Sequence, residues 1–296
     1  MNYELSMHPF ILPANTQIGS VYLRVSYLDR ALSFYQGLLG FRLMDQTGET
    51  AILSASGNPP AQVVLISNPK VTPKEPHTTG LYHVAIRLPN RQALGILLKR
   101  LIENQWALYG GADHLVSEAL YLADQDGNGI ELYVDKPRES WPYENGSLVM
   151  GSEPLNYRAL LQEATAVSSP WGGIHPETDI GHIHLQVSDL DRSRKFYNLL
   201  LGLEVTQRSY PGALFLSAGG YHHHLGLNIW NSRGAQPSSA EHAGLISYEI
   251  KIPNTTFRQD LLARLKGAGT LSEETADIEN SSRTLVYDPD SIRILI

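Results

Sequence analysis

Cysteine is absent from all 296 residues. Disulfides, thiolate nucleophiles, iron–sulfur clusters and cysteine-held zinc are therefore excluded together, and any bound metal must be held by nitrogen and oxygen. Lys and Arg are scarce and nowhere clustered. With 23 bases against 30 acids and a net charge of −7, the chain offers nucleic acid no electrostatic footprint. No apolar run approaches the roughly 20 residues that span a bilayer, and Met1 to Phe10 lacks the basic and apolar regions of a secretory leader. These absences predict a cytoplasmic protein of small-molecule chemistry, with no nucleic-acid and no membrane partner. What is present is apolar material: 42% of residues are hydrophobic, enough at this length for two domains with cores of their own.

The chain repeats itself. Ile18-Gly-Ser-Val-Tyr-Leu-Arg-Val-Ser-Tyr-Leu-Asp-Arg30 aligns without a gap on Ile180-Gly-His-Ile-His-Leu-Gln-Val-Ser-Asp-Leu-Asp-Arg192, and the match runs on through Phe34-Tyr35 and Phe196-Tyr197 to Gly40 and Gly202. A second pair follows in the same order, with Gly80-Leu-Tyr-His-Val-Ala-Ile facing Gly244-Leu-Ile-Ser-Tyr-Glu-Ile. Four units in two halves result: units 18–68 and 80–137 within 1–137, then units 179–231 and 243–296 within 179–296. Residues 138–178, rich in Pro, Ser, Glu and Trp, read as linker and wrapping segment with one helical piece near Tyr157 to Glu163.

Within a unit, an alternating β-branched segment (Val21 to Val25; Ile183 to Val187) gives way to a helical apolar pattern, Leu28, Leu32, Tyr35, Leu38 and Leu39 in unit one. Gly40 and Gly202 fall where a helix C-terminus favours glycine. Helices are predicted at Gln92 to Glu103 and Thr256 to Leu265. Strands are predicted at Ala51 to Ser54, Gln62 to Ile66, Ala119 to Ala123, Ile130 to Val134, Ala213 to Ser217, Leu225 to Ile229 and Thr284 to Tyr287.

Four βαβββ units in tandem pairs, with His182, Val187, Asp189, Leu190, Asp191, Phe196 and Tyr197 in characteristic spacing, resemble the vicinal-oxygen-chelate superfamily of glyoxalases, bleomycin-resistance proteins and extradiol dioxygenases. The resemblance covers nearly the whole chain and is closest to the catechol 2,3-dioxygenases. It implies an α+β fold of two curved mixed-sheet domains, in which paired units surround a metal. It also implies metal ligands from the first strand of a unit and from a late-strand glutamate. Those first-strand slots are Ser20, His83, His182 and Ser247. The late-strand slot is Glu131 in unit two and Arg293 or Leu295 in unit four.

Only the middle units keep ligands, so the resemblance assigns His83, His182 and Glu131 to the metal. Two histidines and one carboxylate with open positions suit a non-haem Fe(II) oxygenase; Mn(II) is also compatible with such a donor set. Because the three come from units two and three, those units are expected to pair across the halves, leaving units one and four as a metal-free counterpart. His83 and His182 far apart would refute this. Taken singly, His83 reads as a satisfied strand histidine and Glu131 as a surface carboxylate; the joint match favours ligation. His184 shares a sheet face with His182 and competes for its place, although the family register favours His182.

Tyr221-His-His-His-Leu-Gly-Leu-Asn-Ile-Trp230 resembles the strand that carries the acid/base histidine of extradiol enzymes, which falls on His223. A histidine-rich surface turn is the plainer alternative, and alternation turns His222 and His224 away from His223. Tyr121, ten positions before Glu131, matches a tyrosine that hydrogen-bonds the catecholate; packed core is its alternative. His114 is expected in a loop over the site. His8, His77, His175 and His242 fit no slot and read as exposed. The resemblance thus implies extradiol cleavage of a small aromatic diol by O2 to a muconic semialdehyde, in an enzyme that, like many of its family, is a homo-oligomer. Two alternatives stay open: a glyoxalase-like lyase or isomerase, and a metal-free binding protein of the same fold.

Overall fold

The computed structural model describes residues 10–165, 171–270, 272–276 and 282–296. His8 lies outside them. Among the described residues, nineteen strands and five α-helices follow one another in the order set by the repeat. Unit one contributes β1 (Gln17–Val25), α1 (Leu28–Leu32), β2 (Arg42–Thr47), β3 (Thr50–Ser54) and β4 (Val63–Ser67). Unit two contributes β5 (Gly80–Leu88), α2 (Arg91–Glu103), β6 (Gly110–Asp113), β7 (Ser117–Ala123) and β8 (Gly129–Asp135). The connecting segment holds the hairpin β9 (Tyr143–Glu144) and β10 (Ser147–Leu148), then β11 (Glu153–Pro154) and α3 (Tyr157–Thr165). Unit three is β12 (Asp179–Gln186), α4 (Leu190–Arg194), β13 (Glu204–Gln207), β14 (Ala213–Ser217) and β15 (Leu225–Asn228). Unit four is β16 (Gly244–Lys251), α5 (Thr255–Gly267), β17 (Ser272–Ala276), β18 (Ser282–Tyr287) and β19 (Arg293–Leu295).

The units pair across the halves. One nine-stranded sheet runs β11-β6-β7-β8-β5-β12-β15-β14-β13, and an eight-stranded sheet runs β17-β18-β19-β16-β1-β4-β3-β2. Each sheet is joined at its centre by an antiparallel pair of first strands: β5 with β12, in which His83 faces His184, and β1 with β16, in which Tyr22 faces Ser247. Both sheets therefore draw strands from both sequence halves. A single apolar cluster that includes Leu23, Leu65, Val84, Ile183, Leu94 and Leu261 joins them with the helices.

Local chemistry explains the helices. Asn90 caps α2 by accepting from Ala93 N–H, and Asn254 caps α5 by accepting from Phe257 N–H. The helix of unit one is not uniform, as its periodicity predicts, but widens after Leu32 into a π turn over Ser33–Leu38, where Leu39 N–H reaches back to Phe34 O at 2.9 Å. Unit three widens at Lys195–Leu200 in the same way. The reason lies in two successive aromatics: a regular helix would turn one of a Phe-Tyr pair away from the core, whereas the extra residue per turn buries both. Phe34, Tyr35 and Tyr197 are fully buried and Phe196 nearly so.

Gly40 and Gly202 end these turns at φ +86° and +97°, where a Cβ would be strained. Each also receives a strap from outside its own half. Leu12 N–H donates to Gly202 O and Ile174 N–H to Gly40 O, both at 2.9 Å. Arg264 stacks on Phe10 while donating to Leu200 O, as Arg100 stacks on Trp171 while donating to Leu38 O. The linker is thus partly a structural element of unit one.

Candidate metal centre

The β5–β12 junction carries the histidines, and β8, parallel to β5, places Glu131 beside Ala85. His83, Glu131 and His182 are buried at 6%, 3% and 1% exposure, and one potential ligand atom from each lies within 4.8 Å of the others. His83 Nε2 stands 2.8 Å and His182 Nε2 3.1 Å from the same oxygen, Glu131 Oε2. Despite that distance, His83 Nε2 makes no hydrogen bond, its geometry pointing past the oxygen rather than along a bond to it. Burial raises the Glu131 carboxyl, but the two imidazoles outweigh it and hold the group well below the usual carboxylate range. Burial pushes His182 down to about 4, against the pull of Glu131. At neutral pH the cluster is an anionic oxygen beside a neutral imidazole of His182 and an unpartnered nitrogen of His83. Converging lone pairs with an orphaned buried nitrogen fit a divalent cation, and two nitrogens with one carboxylate suit iron, manganese or zinc.

The same slots in the other sheet are filled differently. Glu131 pairs with the residue two beyond His83, and Leu295 pairs with Glu249, two beyond Ser247. Leu295, not Arg293, therefore holds the glutamate's place. It packs with Tyr22 and Val64 in a small apolar cluster, while Ser20 Oγ is engaged by Ala61 O at 2.8 Å. Neither serine nor leucine there gives a divalent ion what the middle units give it.

A cavity of about 210 Å³ opens over the cluster, lined by His83, Glu131, Tyr121, His114, His184 and His223 among others. His182 lies just beneath its floor. Among the described residues no Lys or Arg lines it, and Tyr82, Phe215 and Trp230 make its walls aromatic. A larger depression of about 1270 Å³ lies elsewhere, beside Arg192 and Asp290. It is open, and its buried carboxylate is already satisfied by Ser188 N–H and Oγ.

His223 reaches the cavity, but the three histidines lie in the bend before β15 rather than on a strand. His182 and His223 stack with ring centres 4.1 Å apart. Behind His223, its Nδ1 is 2.7 Å from His222 Nδ1, and His222 Nε2 is 2.9 Å from Asp135 Oδ1. The carboxylate can only accept, so His222 donates from Nε2, and in that tautomer its Nδ1 accepts. His223 then donates from Nδ1, and its Nε2 is left bare. The neighbouring His224 is turned away, to Ser217 Oγ at 2.9 Å.

Tyr121 faces Glu131 across the β7–β8 pair, and burial and then Glu131 raise its phenol well above the usual range. His114 lies in the connection between β6 and β7, as expected, half-buried and lining the cavity. Its Nδ1 meets Gly151 O at 2.7 Å and its Nε2 meets the Tyr121 hydroxyl at 2.6 Å. A carbonyl accepts only, so Nε2 is the acceptor and Tyr121 spends its proton on His114. Tyr121 thus turns a lone pair to the cavity. His184 Nε2 is occupied by Asn228, and His182 holds the ligand position instead. His77 and His175 are exposed as expected, whereas His242 is half-buried and contacts Thr72 Oγ1 at 2.8 Å.

Residues 17–132 and 179–296 match the model of the glyoxalase/bleomycin resistance protein/dioxygenase superfamily. The chain belongs to that superfamily. Over 281 residues it is 45% identical to a catechol-2,3-dioxygenase of Bacillus subtilis (strain 168), covering 94% of this chain and 95% of that one. Among solved structures, one from Bacillus subtilis subsp. subtilis str. 168 superposes with a TM-score of 0.69 at 14% identity, covering 97% of this chain and 85% of that one. Glyoxalase I from Zea mays superposes with a TM-score of 0.57 at 19% identity, covering 95% and 92%. These two share the superfamily fold. Among the described residues no helix is long and apolar enough to cross a membrane.

Proposed function

We propose that the protein is an extradiol dioxygenase that cleaves a catechol beside its diol, using His83, His182 and Glu131 to hold Fe(II). The observation that carries the reading is the buried three-residue cluster at the floor of an aromatic cavity, supported by the 45% identical catechol-2,3-dioxygenase. Iron held there supplies open positions for the diol and one-electron chemistry with dioxygen.

The remaining work falls to the protein. His223, with Nε2 bare and Nδ1 anchored through His222 to Asp135, takes one hydroxyl proton from the diol and returns it after cleavage. Tyr121, its own proton held by His114, accepts from the second hydroxyl and so fixes the ring's rotation. Aromatic walls exclude water and grip the ring by its faces. Overall, the bond between one hydroxyl-bearing carbon and its unhydroxylated neighbour breaks. Both oxygen atoms of O2 enter the product, a 2-hydroxymuconic semialdehyde when catechol is the substrate. The cavity has no cation for a carboxylate substituent, which favours uncharged rings.

The test is anaerobic reconstitution with Fe(II), then catechol in air, with absorbance followed for the yellow ring-opened product. Colour that vanishes in His83→Ala and Glu131→Ala is expected. Metal uptake with no colour across several catechols would shift the reading to a lyase or isomerase, and no metal uptake would overturn it.

A further inference from the structure

Residues of β15 and its exit are arranged around one imidazole that ring cleavage, as described, leaves unused. His184 follows His182 by two positions on β12, is buried at 4% exposure, and lines the same cavity as His83, Glu131 and His223. β15 runs parallel to β12 with Gly226 opposite His184. A Cβ at 226 would lie 2.8 Å from the His184 Cγ and 2.9 Å from Nδ1, so only glycine there leaves space for the ring.

Asn228, fully buried, then fixes the ring's proton. Trp230 N–H donates to Asn228 Oδ1 at 3.3 Å, which settles which end of the amide is oxygen. The amide nitrogen Nδ2 is therefore the atom 3.1 Å from His184 Nε2. An amide nitrogen only donates, so Nε2 accepts and the neutral ring carries its proton on Nδ1. Nδ1 has no acceptor among the described residues.

We propose that His184 is a fixed hydrogen-bond donor whose Nδ1–H binds an anionic oxygen of the cavity's ligand. This rests on the ring-cleavage reading only in taking that oxygen to belong to a diolate. With Nε2 occupied, His184 does not relay protons. It supplies a preorganised N–H dipole of the kind that is worth most in a dry site, opposite in sense to Tyr121, which accepts. The cavity then reads the two diol oxygens differently, one as anion and one as hydroxyl, and binds the monoanion in one orientation.

Long-range 1H–15N correlation spectra of the full-length protein, metal-free and with Zn(II), read the tautomer of each histidine. Nδ1–H is expected for His184, moving to Nε2–H in Asn228→Asp, whose carboxylate accepts. Nε2–H in the unaltered protein overturns the proposal whatever the protein catalyses. Titration of the Zn(II)-loaded protein with 4-nitrocatechol, followed by absorbance, measures the donor's contribution. His184→Leu should weaken binding about 10- to 100-fold, as expected for a hydrogen bond to a charged group. His184→Asn, which places an amide N–H near the position of Nδ1, should recover most of it. Equal affinity of the unaltered protein and His184→Leu overturns the proposal. Should His184→Leu fail to fold, unchanged affinity in Asn228→Asp does so. A protein that binds 4-nitrocatechol in this His184-dependent way, yet cleaves no catechol with Fe(II) in air, overturns the ring-cleavage reading and leaves the donor in place.

Discussion

Metal binding should be visible as thermal stability, and Glu131→Gln should remove most of it. The three ligands sit on β5, β8 and β12, drawn from two sequence halves, so the unfolded chain has no site. The whole binding free energy is then added to folding. At free metal one hundred times its dissociation constant the gain is about 2.7 kcal/mol. For a chain of this size that is a rise in Tm on the order of 4–5 °C. Glu131→Gln keeps the shape but removes the anion on which both imidazole nitrogens converge at 2.8 and 3.1 Å. If this weakens binding about 100-fold, the gain at the same metal concentration falls to about 0.4 kcal/mol, a shift of about a degree. Differential scanning fluorimetry with Fe(II), Mn(II) and Zn(II) under anaerobic conditions, against a chelator control, measures both. An unchanged metal-induced shift in Glu131→Gln would refute the assignment of the cluster.

In chelator, acid should unfold the protein early. His182 is held at about 4 and His224 at about 3, in both cases chiefly by burial, whereas the unfolded chain protonates near pH 6.5. Between those values the unfolded state binds more protons, so stability is intact above about pH 6.5 and declines as pH falls, by at most about 1.4 kcal/mol per group per unit. Circular dichroism should show Zn(II) moving the acid midpoint lower, and a midpoint indifferent to metal would count against His182. His223→Ala should lower kcat for catechol about 10²- to 10⁴-fold while the metal-induced Tm shift persists; loss of that shift would mean a structural role instead. Residues 1–137 and 179–296 expressed separately should each bind no metal in equilibrium dialysis, because β5 and β12 are parted. 3,4-Dihydroxybenzoate should show a kcat/KM well below that of catechol, and equal values would show that the uncharged lining does not set specificity.

The fold and the three-residue cluster were legible because both rest on repetition. Ile18–Arg30 and Ile180–Arg192 align without a gap, and reading one unit against another showed where His83, His182 and Glu131 stood and where Ser20 and Ser247 had replaced histidine. What escaped was written in fewer residues or in longer-range contacts. Arg42–Thr47 and Glu204–Gln207 are sheet edges or near-edges with polar residues on their exposed faces, and Gly110–Asp113 is glycine-rich, so none carries the apolar alternation of a central strand. The π turns look helical in periodicity; only the burial of both Phe34 and Tyr35 reveals them. The proton positions on His114, His222 and His184 depend on Gly151, Asp135 and Asn228, partners remote in sequence that no local spacing announces. Leu295 over Arg293 was settled by strand register alone.

The crossing of the halves also sets the order in which the molecule can be built. The centre of the eight-stranded sheet joins Gln17–Val25 to Gly244–Lys251, strands that emerge from the ribosome more than 200 residues apart. At roughly 5–20 residues per second, β1 waits on the order of 10–45 s with its inner edge unpaired. The nine-stranded sheet that carries His83, Glu131 and His182 closes earlier, once β12 has followed β5. Loop closure over such separations is entropically slow, and Tyr22 and Val64 remain without Leu295 throughout that interval. The eight-stranded sheet is thus the last to be completed and the more exposed to misassembly. Substitutions on its floor should reduce the yield of folded protein before they alter any property of the metal centre.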